Sequence, residues 1–197
     1  MEYNDEYIAI NGVSKSEIYI KKSRFIGLST SADTEQDAYK FIESIKREYS
    51  DATHVCYAFS VGFGSRQILR SSDSGEPANS AGKPILSVIE SSNINNIVCV
   101  VIRYFGGIKL GIGGLIRAYS QAAKESIRNA STTVCVSLTN LRIEIPYDHI
   151  GTIINLVNRF RGKILSMEHG DNIQAMISIR SSLAQEFSNQ VEIVNNK

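Results

Sequence analysis

The sequence predicts an α+β fold in two domains, placed at residues 1–136 and 137–197. Two observations lead to this prediction. In the first domain a β-branched apolar run, Ile97–Ile102, passes through a glycine-rich stretch into a helical pattern. After Ala130 the order of patterns becomes strand, helix, strand, strand, helix, with a short final strand. That order is typical of a ferredoxin-like βαββα(β) unit.

The N-terminal part should begin with extended structure over residues 17–29, where apolar and basic side chains are interleaved. The cluster Lys21-Lys22-Ser23-Arg24 is a small basic patch, and it also fits a hairpin turn or a charged strand edge. A helix should follow, capped by Asp33 or Thr34 and ending near Tyr49.

A hairpin is predicted next, with a strand over residues 54–63, a turn at Gly64-Ser65 and a returning strand over residues 67–71. One face of the first strand carries large apolar side chains: Val55, Tyr57, Phe59 and Val61.

A loop rich in Ser, Gly, Pro and Asp fills residues 70–86. Ser80 is a candidate cap for a short helix ending at Glu90, and Pro84 suits the first turn of that helix. The loop is not a P-loop, because six residues separate Gly75 from Gly82 where that motif requires four.

The centre of the first domain is the strand, glycine loop and helix between residues 96 and 130. The first turn of a helix has N–H groups without partners inside the helix, and the helix dipole makes that end positive. Glycines allow a ligand to approach these amides, so the loop is a candidate seat for a phosphate or carboxylate. Glycines also serve sharp turns and close strand–helix packing, which remains the alternative interpretation. The loop lacks the spacing of a dinucleotide-binding fingerprint.

Basic and aromatic side chains accompany this loop. Arg103 and Lys109 flank the first glycines, and a mostly basic stripe that includes Arg128 follows the helix, although such a stripe is also an ordinary solvated face. Tyr104 and Phe105 suit stacking on unpaired bases, or closing the core at the strand's end. The candidate anion- or nucleic-acid-binding residues are Arg103, Tyr104, Gly106, Gly107, Lys109, Gly111, Gly113, Gly114, Arg117 and Lys124.

A secondary candidate cluster consists of His54, Asp73, Glu76 and Lys83. His54 suits a general base, and the two acids suit a divalent metal. The structural alternative is a hydrogen-bonded histidine and acids that cap backbone N–H groups in a turn. No catalytic residue, metal site or cofactor is predicted.

The C-terminal elements are a strand over residues 141–145 and a helix capped by Asp148 and closed by Gly162. A hairpin follows around residues 170–172, and a last helix starts at Ser181 or Ser182. The short final strand would cover residues 191–194. His149 and His169 are interpreted as surface histidines.

Bulk properties exclude several classes of protein. The formal net charge is +1, so nucleic-acid binding would need a local basic patch. No run of 18 apolar residues exists, which predicts no membrane span. Cys56, Cys99 and Cys135 lack metal-binding or disulfide spacing and are interpreted as buried thiols in a reducing cytosol, so we expect a cytoplasmic protein.

Three motifs carry a resemblance to a known family. They are Ala52–His54 with Cys56–Ala58, Ser72–Pro77 with Ala81–Leu86, and Arg103–Gly111 with Gly113–Leu115. The chain resembles the Impact family in its compact bacterial, YigZ-like form. The resemblance implies a first domain like domain 2 of ribosomal protein S5 and a ferredoxin-like second domain, a pair similar to adjacent domains of elongation factor G.

The resemblance and the residues together predict a non-enzymatic, translation-linked factor that binds RNA or the ribosome. The alternatives are an enzyme acting on a phosphorylated or carboxylated small molecule, and a protein-binding regulatory module. Eukaryotic members of the family restrain a translation-regulating kinase with an additional N-terminal domain. This chain starts at the Impact-type domain, so that role is not expected here.

Overall fold

A computed structural model describes residues 5–63 and 67–195, and the predicted turn at Gly64-Ser65 lies outside these residues. Internal contacts divide the chain into two compact units. The N-terminal unit is Ile8–Val134, and the C-terminal unit runs from Cys135 and includes the described residues before Ile8. A mixed α and β structure in two domains is therefore confirmed.

The described ranges contain ten strands and five α-helices. The strands are β1 (Glu6–Ile10), β2 (Val13–Ile20), β3 (Ser23–Ser31), β4 (His54–Val61), β5 (Ile68–Ser72), β6 (Ile97–Tyr104), β7 (Thr132–Val136), β8 (Leu138–Ile145), β9 (Lys163–His169) and β10 (Ile173–Arg180). The helices are α1 (Glu35–Glu48), α2 (Gly82–Ser91), α3 (Ile112–Arg128), α4 (Ile150–Arg159) and α5 (Ala184–Asn195).

The N-terminal unit is built on an antiparallel sheet with strand order β2-β3-β6-β4-β5. The central strand β6 is buried on both faces, which explains its unbroken apolar run. Because successive side chains point to opposite faces, Val98, Val100 and Ile102 pack with α1. Cys99 and Val101 pack with α2 and α3. This alternation decides which side chains at the end of β6 can share a site.

Local features of the sequence determine where α1 begins and ends and where the chain turns between β2 and β3. Thr34 caps α1 by accepting a hydrogen bond from the Asp37 N–H at 3.1 Å, and Tyr49 follows the last turn, as predicted. Lys21 and Lys22 have φ angles of 45° and 65° and form the tight turn between β2 and β3. The hairpin interpretation of this basic cluster is therefore confirmed.

The predicted cap of α2 is wrong. Ala81 occupies the cap position without a side-chain bond, and the Ser80 hydroxyl donates instead to the Pro77 carbonyl at 2.7 Å. The Asp73 carboxylate supplies the missing acceptor from the preceding loop. It accepts N–H bonds from Asn79, Ala81 and Gly82 at 2.7, 2.9 and 2.8 Å.

The C-terminal unit has a three-stranded sheet in which β10 lies between β8 and β9 and is antiparallel to both. Its core combines the sheet with α4 and α5. The predicted hairpin of β9 and β10 is confirmed. Two predictions are wrong: Asp148 lies inside the 3₁₀ turn Tyr147–His149 rather than capping α4, and residues 191–194 continue α5 with Val191 buried.

Among the described residues, no helix is long and apolar enough to cross a bilayer. Cys56 and Cys99 are buried free thiols, as predicted, whereas Cys135 is only half-buried. The prediction of a buried thiol is therefore wrong for Cys135, which lies in β7 rather than in the central sheet.

Candidate functional site

A cleft of about 430 Å³ opens in the N-terminal unit where β6 ends and α3 begins. Its polar lining residues are Thr53, His54, Glu76, Arg103 and Lys109. Its apolar lining residues are Pro77, Phe105, Leu110, Ile112 and Leu115, with Gly111 at the start of the helix. Residues of both predicted clusters therefore contribute to one cleft.

Strand register brings His54 and Arg103 together. His54 is the first residue of β4 and pairs directly with Arg103 on β6. Glu76 reaches the same place from the loop between β5 and α2. The loop is held by Asp73, because its carboxylate binds three backbone N–H groups at the start of α2. Burial opposes the charge of this carboxylate, but the amides of Gly82, Asn79 and Ala81 hold the pKa of Asp73 below its usual value.

The floor of the cleft is a buried ion pair. Arg103 Nη1 donates to Glu76 Oε1 at 2.6 Å, and the Tyr119 hydroxyl donates to the same oxygen at 2.7 Å. Arg103 is 5% exposed and Glu76 is 8% exposed. Buried charges are tolerated when they are paired and hydrogen-bonded, as these are. Burial also raises the pKa of Tyr119, so this hydroxyl remains a donor.

The Arg103 guanidinium lies 5.5 Å from the centre of the Phe25 ring and 5.3 Å from that of Phe105. Its Nε atom is buried and has no hydrogen-bond partner among the described residues. Since Glu76 neutralises its charge, Arg103 is not the free cation that the sequence suggested.

His54 is held by the same loop. Its Nδ1 atom lies 3.0 Å from the Ser74 carbonyl oxygen, which can only accept, so Nδ1 carries the proton in this bond. In the neutral ring this leaves Nε2 as an acceptor, 4.0 Å from Glu76 Oε1 and beyond hydrogen-bond distance. Gly75 allows the His54 ring to lie this close to the loop, because a Cβ atom on residue 75 would lie only 3.3 Å from His54 Nδ1.

The secondary cluster assembles only in part. His54 and Glu76 line the cleft, whereas Asp73 serves the start of α2 and Lys83 is exposed on the first turn of that helix. Within residues 5–63 and 67–195, no group of three or more His, Cys, Asp or Glu side chains is placed to hold a metal ion.

The glycine loop is packed against the β2–β3 turn. A Cβ atom on Gly106 would lie 2.0 Å from the carbonyl carbon and oxygen of Lys22, and the Gly106 N–H donates to Ser23 Oγ at 3.2 Å. This contact places the β2–β3 turn, which carries the exposed residues Lys21 and Lys22, beside the loop that carries Lys109. Sequence reasoning missed the contact because more than eighty residues separate the two segments.

The start of α3 borders the cleft through Gly111 and Ile112. The cap residue Gly111 has a φ of 73° and, as a glycine, offers no side-chain acceptor to the first-turn amides. A Cβ atom added to Gly107 would meet open space, and one added to Gly113 would meet only the Arg117 side chain. A Cβ atom added to Gly114 would lie 2.9 Å from the Leu110 side chain, so Gly114 is closely packed. The packing interpretation therefore holds for Gly106 and Gly114. The anion seat stays a prediction, which the open surroundings of Gly107 and Gly111 leave room for.

Of the predicted anion-binding residues, Arg103, Lys109 and Gly111 line the cleft, whereas the others, including Tyr104 and Lys124, are not among its lining residues. Tyr104 points to the α1 face of the sheet, and its hydroxyl donates to Asp51 at 2.8 Å. Lys124 is exposed on α3, about 10 Å along the helix from Arg117 at 1.5 Å per residue. Phe105, in contrast, is 46% exposed at the mouth of the cleft, so it does not close the core.

Comparison with known proteins assigns the chain to a family. The family model of the Impact N-terminal domain matches residues 21–127, which include every strand and helix that forms the cleft. This chain belongs to the Impact family. It is 36% identical over 170 residues to the IMPACT family member YigZ of Escherichia coli, covering 86% of this chain and 83% of YigZ. The predicted YigZ-like resemblance is therefore confirmed.

Two further similarities were found, one to a solved structure and one to elongation factor G. A crystal structure of a protein described as hypothetical matches this Impact-family chain with a TM-score of 0.77 at 32% identity, covering 96% of this chain and 92% of that one. A stretch of 68 residues is 35% identical to elongation factor G of Chlamydia trachomatis, which covers 34% of this chain and 10% of the elongation factor.

Proposed function

We propose that this Impact-family protein is a non-enzymatic, translation-linked factor that binds RNA or the ribosome beside its glycine loop. The observation that carries the proposal is the packing of the Lys21-Lys22 turn against Gly106. The backbone contact places that turn beside the glycine loop. The turn, the loop and the first turns of α3 carry four exposed cations: Lys21, Lys22, Lys109 and Arg117. We call these four side chains the basic surface.

The chemistry of the basic surface suits phosphate. Lysine and arginine neutralise backbone phosphates, and the unpaired amides at a helix start add donors and a positive dipole end. Arg103 does not contribute, because Glu76 already neutralises it. The similarity of 68 residues to elongation factor G supports a role beside the ribosome, and hence in the cytoplasm.

We also propose the finer fold assignments that the resemblance implies. The order β8-β10-β9, with β10 antiparallel to both neighbours, supports the ferredoxin-like assignment, because a split βαβ unit has this order. The assignment of the N-terminal unit to the fold of domain 2 of ribosomal protein S5 rests on the family resemblance alone.

The test is RNA binding by fluorescence anisotropy at low salt, with structured and single-stranded RNA. The variant Lys21→Glu/Lys22→Glu/Lys109→Glu should bind about tenfold more weakly or worse, since it reverses three charges at the phosphate surface. The matched control reverses Lys40, Lys46 and Arg47 on α1, a helix that packs on the opposite face of the sheet. Absence of binding by the wild type, or equal losses in both variants, would contradict the proposal.

An enzyme acting on a phosphorylated or carboxylated small molecule is the second candidate. The observation that favours it is His54 Nε2, which is left as an acceptor beside Glu76 in a cleft of small-molecule size. The test is turnover of a panel of phosphate and carboxylate esters by wild type and His54→Ala. Turnover that is lost in the variant supports an enzyme, and no turnover by the wild type removes this candidate.

A further inference from the structure

The cleft beside the basic surface has walls that phosphate binding does not explain. Phe105, Leu110, Ile112 and Leu115 line it, and Phe105 and Ile112 are also exposed to solvent. Phosphate is strongly hydrated and gains nothing from an apolar wall. These side chains instead suit a flat or apolar group carried by the same ligand.

We propose that the cleft takes one unpaired nucleobase of a single-stranded RNA, an inference that rests on the proposed binding of RNA by the basic surface. Lys109 belongs to that surface and also lines the cleft, so a strand held by its phosphates passes the mouth of the cleft. The volume of about 430 Å³ lies within the range of sites that enclose a small organic group. A base inside a duplex is stacked and paired and does not reach such a cleft.

The apolar walls supply the stacking surface. Base stacking on an aromatic ring is tolerant of sequence, because every base has a π-face. Phe105 leaves 46% of its surface exposed, and the Arg103 guanidinium lies over its ring, 5.3 Å from the centre. Ile112 and Leu115 follow on the first turns of α3 and complete an apolar slot.

The floor supplies groups for the edge of a base. Arg103 has a side chain only 6% exposed, and its Nε donor has no partner among the described residues. When the His54 ring is neutral, the Nδ1 bond to the Ser74 carbonyl leaves Nε2 as an acceptor. The edges of bases carry both donors and acceptors, so a base uses both groups, whereas an aliphatic side chain of a protein partner uses neither.

The experiment measures anisotropy with three ligands of equal phosphate number: a single-stranded RNA, the same strand with abasic riboses, and a duplex. The wild type should prefer the single strand with bases by roughly five- to a hundredfold over the abasic strand. Phe105→Ala and Ile112→Ser should remove that preference but leave the salt dependence unchanged. Ile108→Ala is the matched control, because Ile108 is exposed on the same loop but does not line the cleft.

The outcomes separate the two proposals. Binding that is equal for all three ligands and is lost in the lysine variant leaves the basic surface in place and overturns the nucleobase cleft. Absence of RNA binding overturns both. Binding of an apolar peptide that depends on Phe105 and Ile112, without any base preference, would assign the cleft to a protein partner instead. Thermal melting of each variant shows whether it is folded, and a Phe105→Leu variant keeps an apolar wall without a stacking ring.

Discussion

Arg103 Nη1 and Glu76 Oε1 lie 2.6 Å apart beneath the cleft, and both side chains are almost fully buried. The pair joins the end of the central strand β6 to the loop before α2, and Tyr119 on α3 bonds to the same carboxylate oxygen. These bonds therefore connect β6, the loop before α2 and α3 around the cleft. The charges of Arg103 and Glu76 neutralise one another rather than the charge of a ligand.

We predict a strong energetic coupling between these two residues. Glu76→Gln leaves the Arg103 charge buried and uncompensated and should cost about 3–5 kcal/mol in the free energy of unfolding. The double variant Arg103→Met/Glu76→Gln removes both charges and should lose clearly less than the sum of the single variants. Denaturant unfolding of the four proteins measures the coupling. Glu17→Gln, which breaks the exposed pair with Arg24, is the control and should change stability little.

Asp73 should stabilise the protein in a pH-dependent way. Its carboxylate binds three backbone N–H groups at the start of α2, so Asp73→Asn should cost about 1 kcal/mol at neutral pH. The pKa of Asp73 is lowered in the folded state, so its contribution is complete above the unfolded value of about 3.9 and is lost as the pH falls through the lowered pKa.

The measurement is thermal or denaturant unfolding of the wild type and Asp73→Asn between about pH 6 and pH 2, a window set by those pKa values. The difference in stability should shrink towards acid pH. Asp33→Asn, at an exposed position before α1, is the control. A difference that stays constant with pH would contradict the assigned role of the Asp73 charge.

Two glycines of the loop should respond to alanine with opposite signs. Gly106→Ala places a Cβ 2.0 Å from the Lys22 carbonyl, where only backbone movement can relieve the clash, and should be destabilising. Gly113→Ala meets only the flexible Arg117 side chain at 3.7 Å and should stabilise α3 by about 0.5–1 kcal/mol. Melting temperatures of the two variants check the packing of the loop, and equal effects would contradict it.

The three thiols should differ in reactivity. Burial raises the pKa of Cys56 to about 12 and that of Cys99 to about 11, so both remain protonated and shielded near pH 8. Cys135 is half-buried in β7. A thiol reagent should therefore label one thiol rapidly in each native chain and all three thiols after unfolding. The variant Cys135→Ser should lose the rapidly labelled thiol. Fast labelling of Cys56 would contradict the structure around the cleft.

Local signals in the sequence were sufficient for most elements. Thr34 and Tyr49 marked the ends of α1 because capping and helical periodicity act within a few residues. The same approach failed at residues 191–194, where a β-branched run suggested a strand. Phe187 and Val191 lie four residues apart and bury one face of α5, so tertiary packing overrides the local preference.

The candidate site was only partly accessible to sequence reasoning. The alternation of β6 alone places Arg103 and Tyr104 on opposite sides of the sheet, so the strand pattern itself argues against one site that contains both. The pairing of Arg103 with Glu76 and the contact of Lys22 with Gly106 join distant segments through the sheet register, which no local pattern encodes.

We propose above all that the basic surface beside the glycine loop neutralises RNA phosphates. The most direct measurement is the slope of log K against log salt for single-stranded RNA, with the wild type and Lys21→Ala/Lys22→Ala/Lys109→Ala. Three lost phosphate contacts should reduce the slope by about 2, at roughly 0.7 per contact. An unchanged slope in the triple variant would show that RNA, if bound, is bound elsewhere, and would contradict the account.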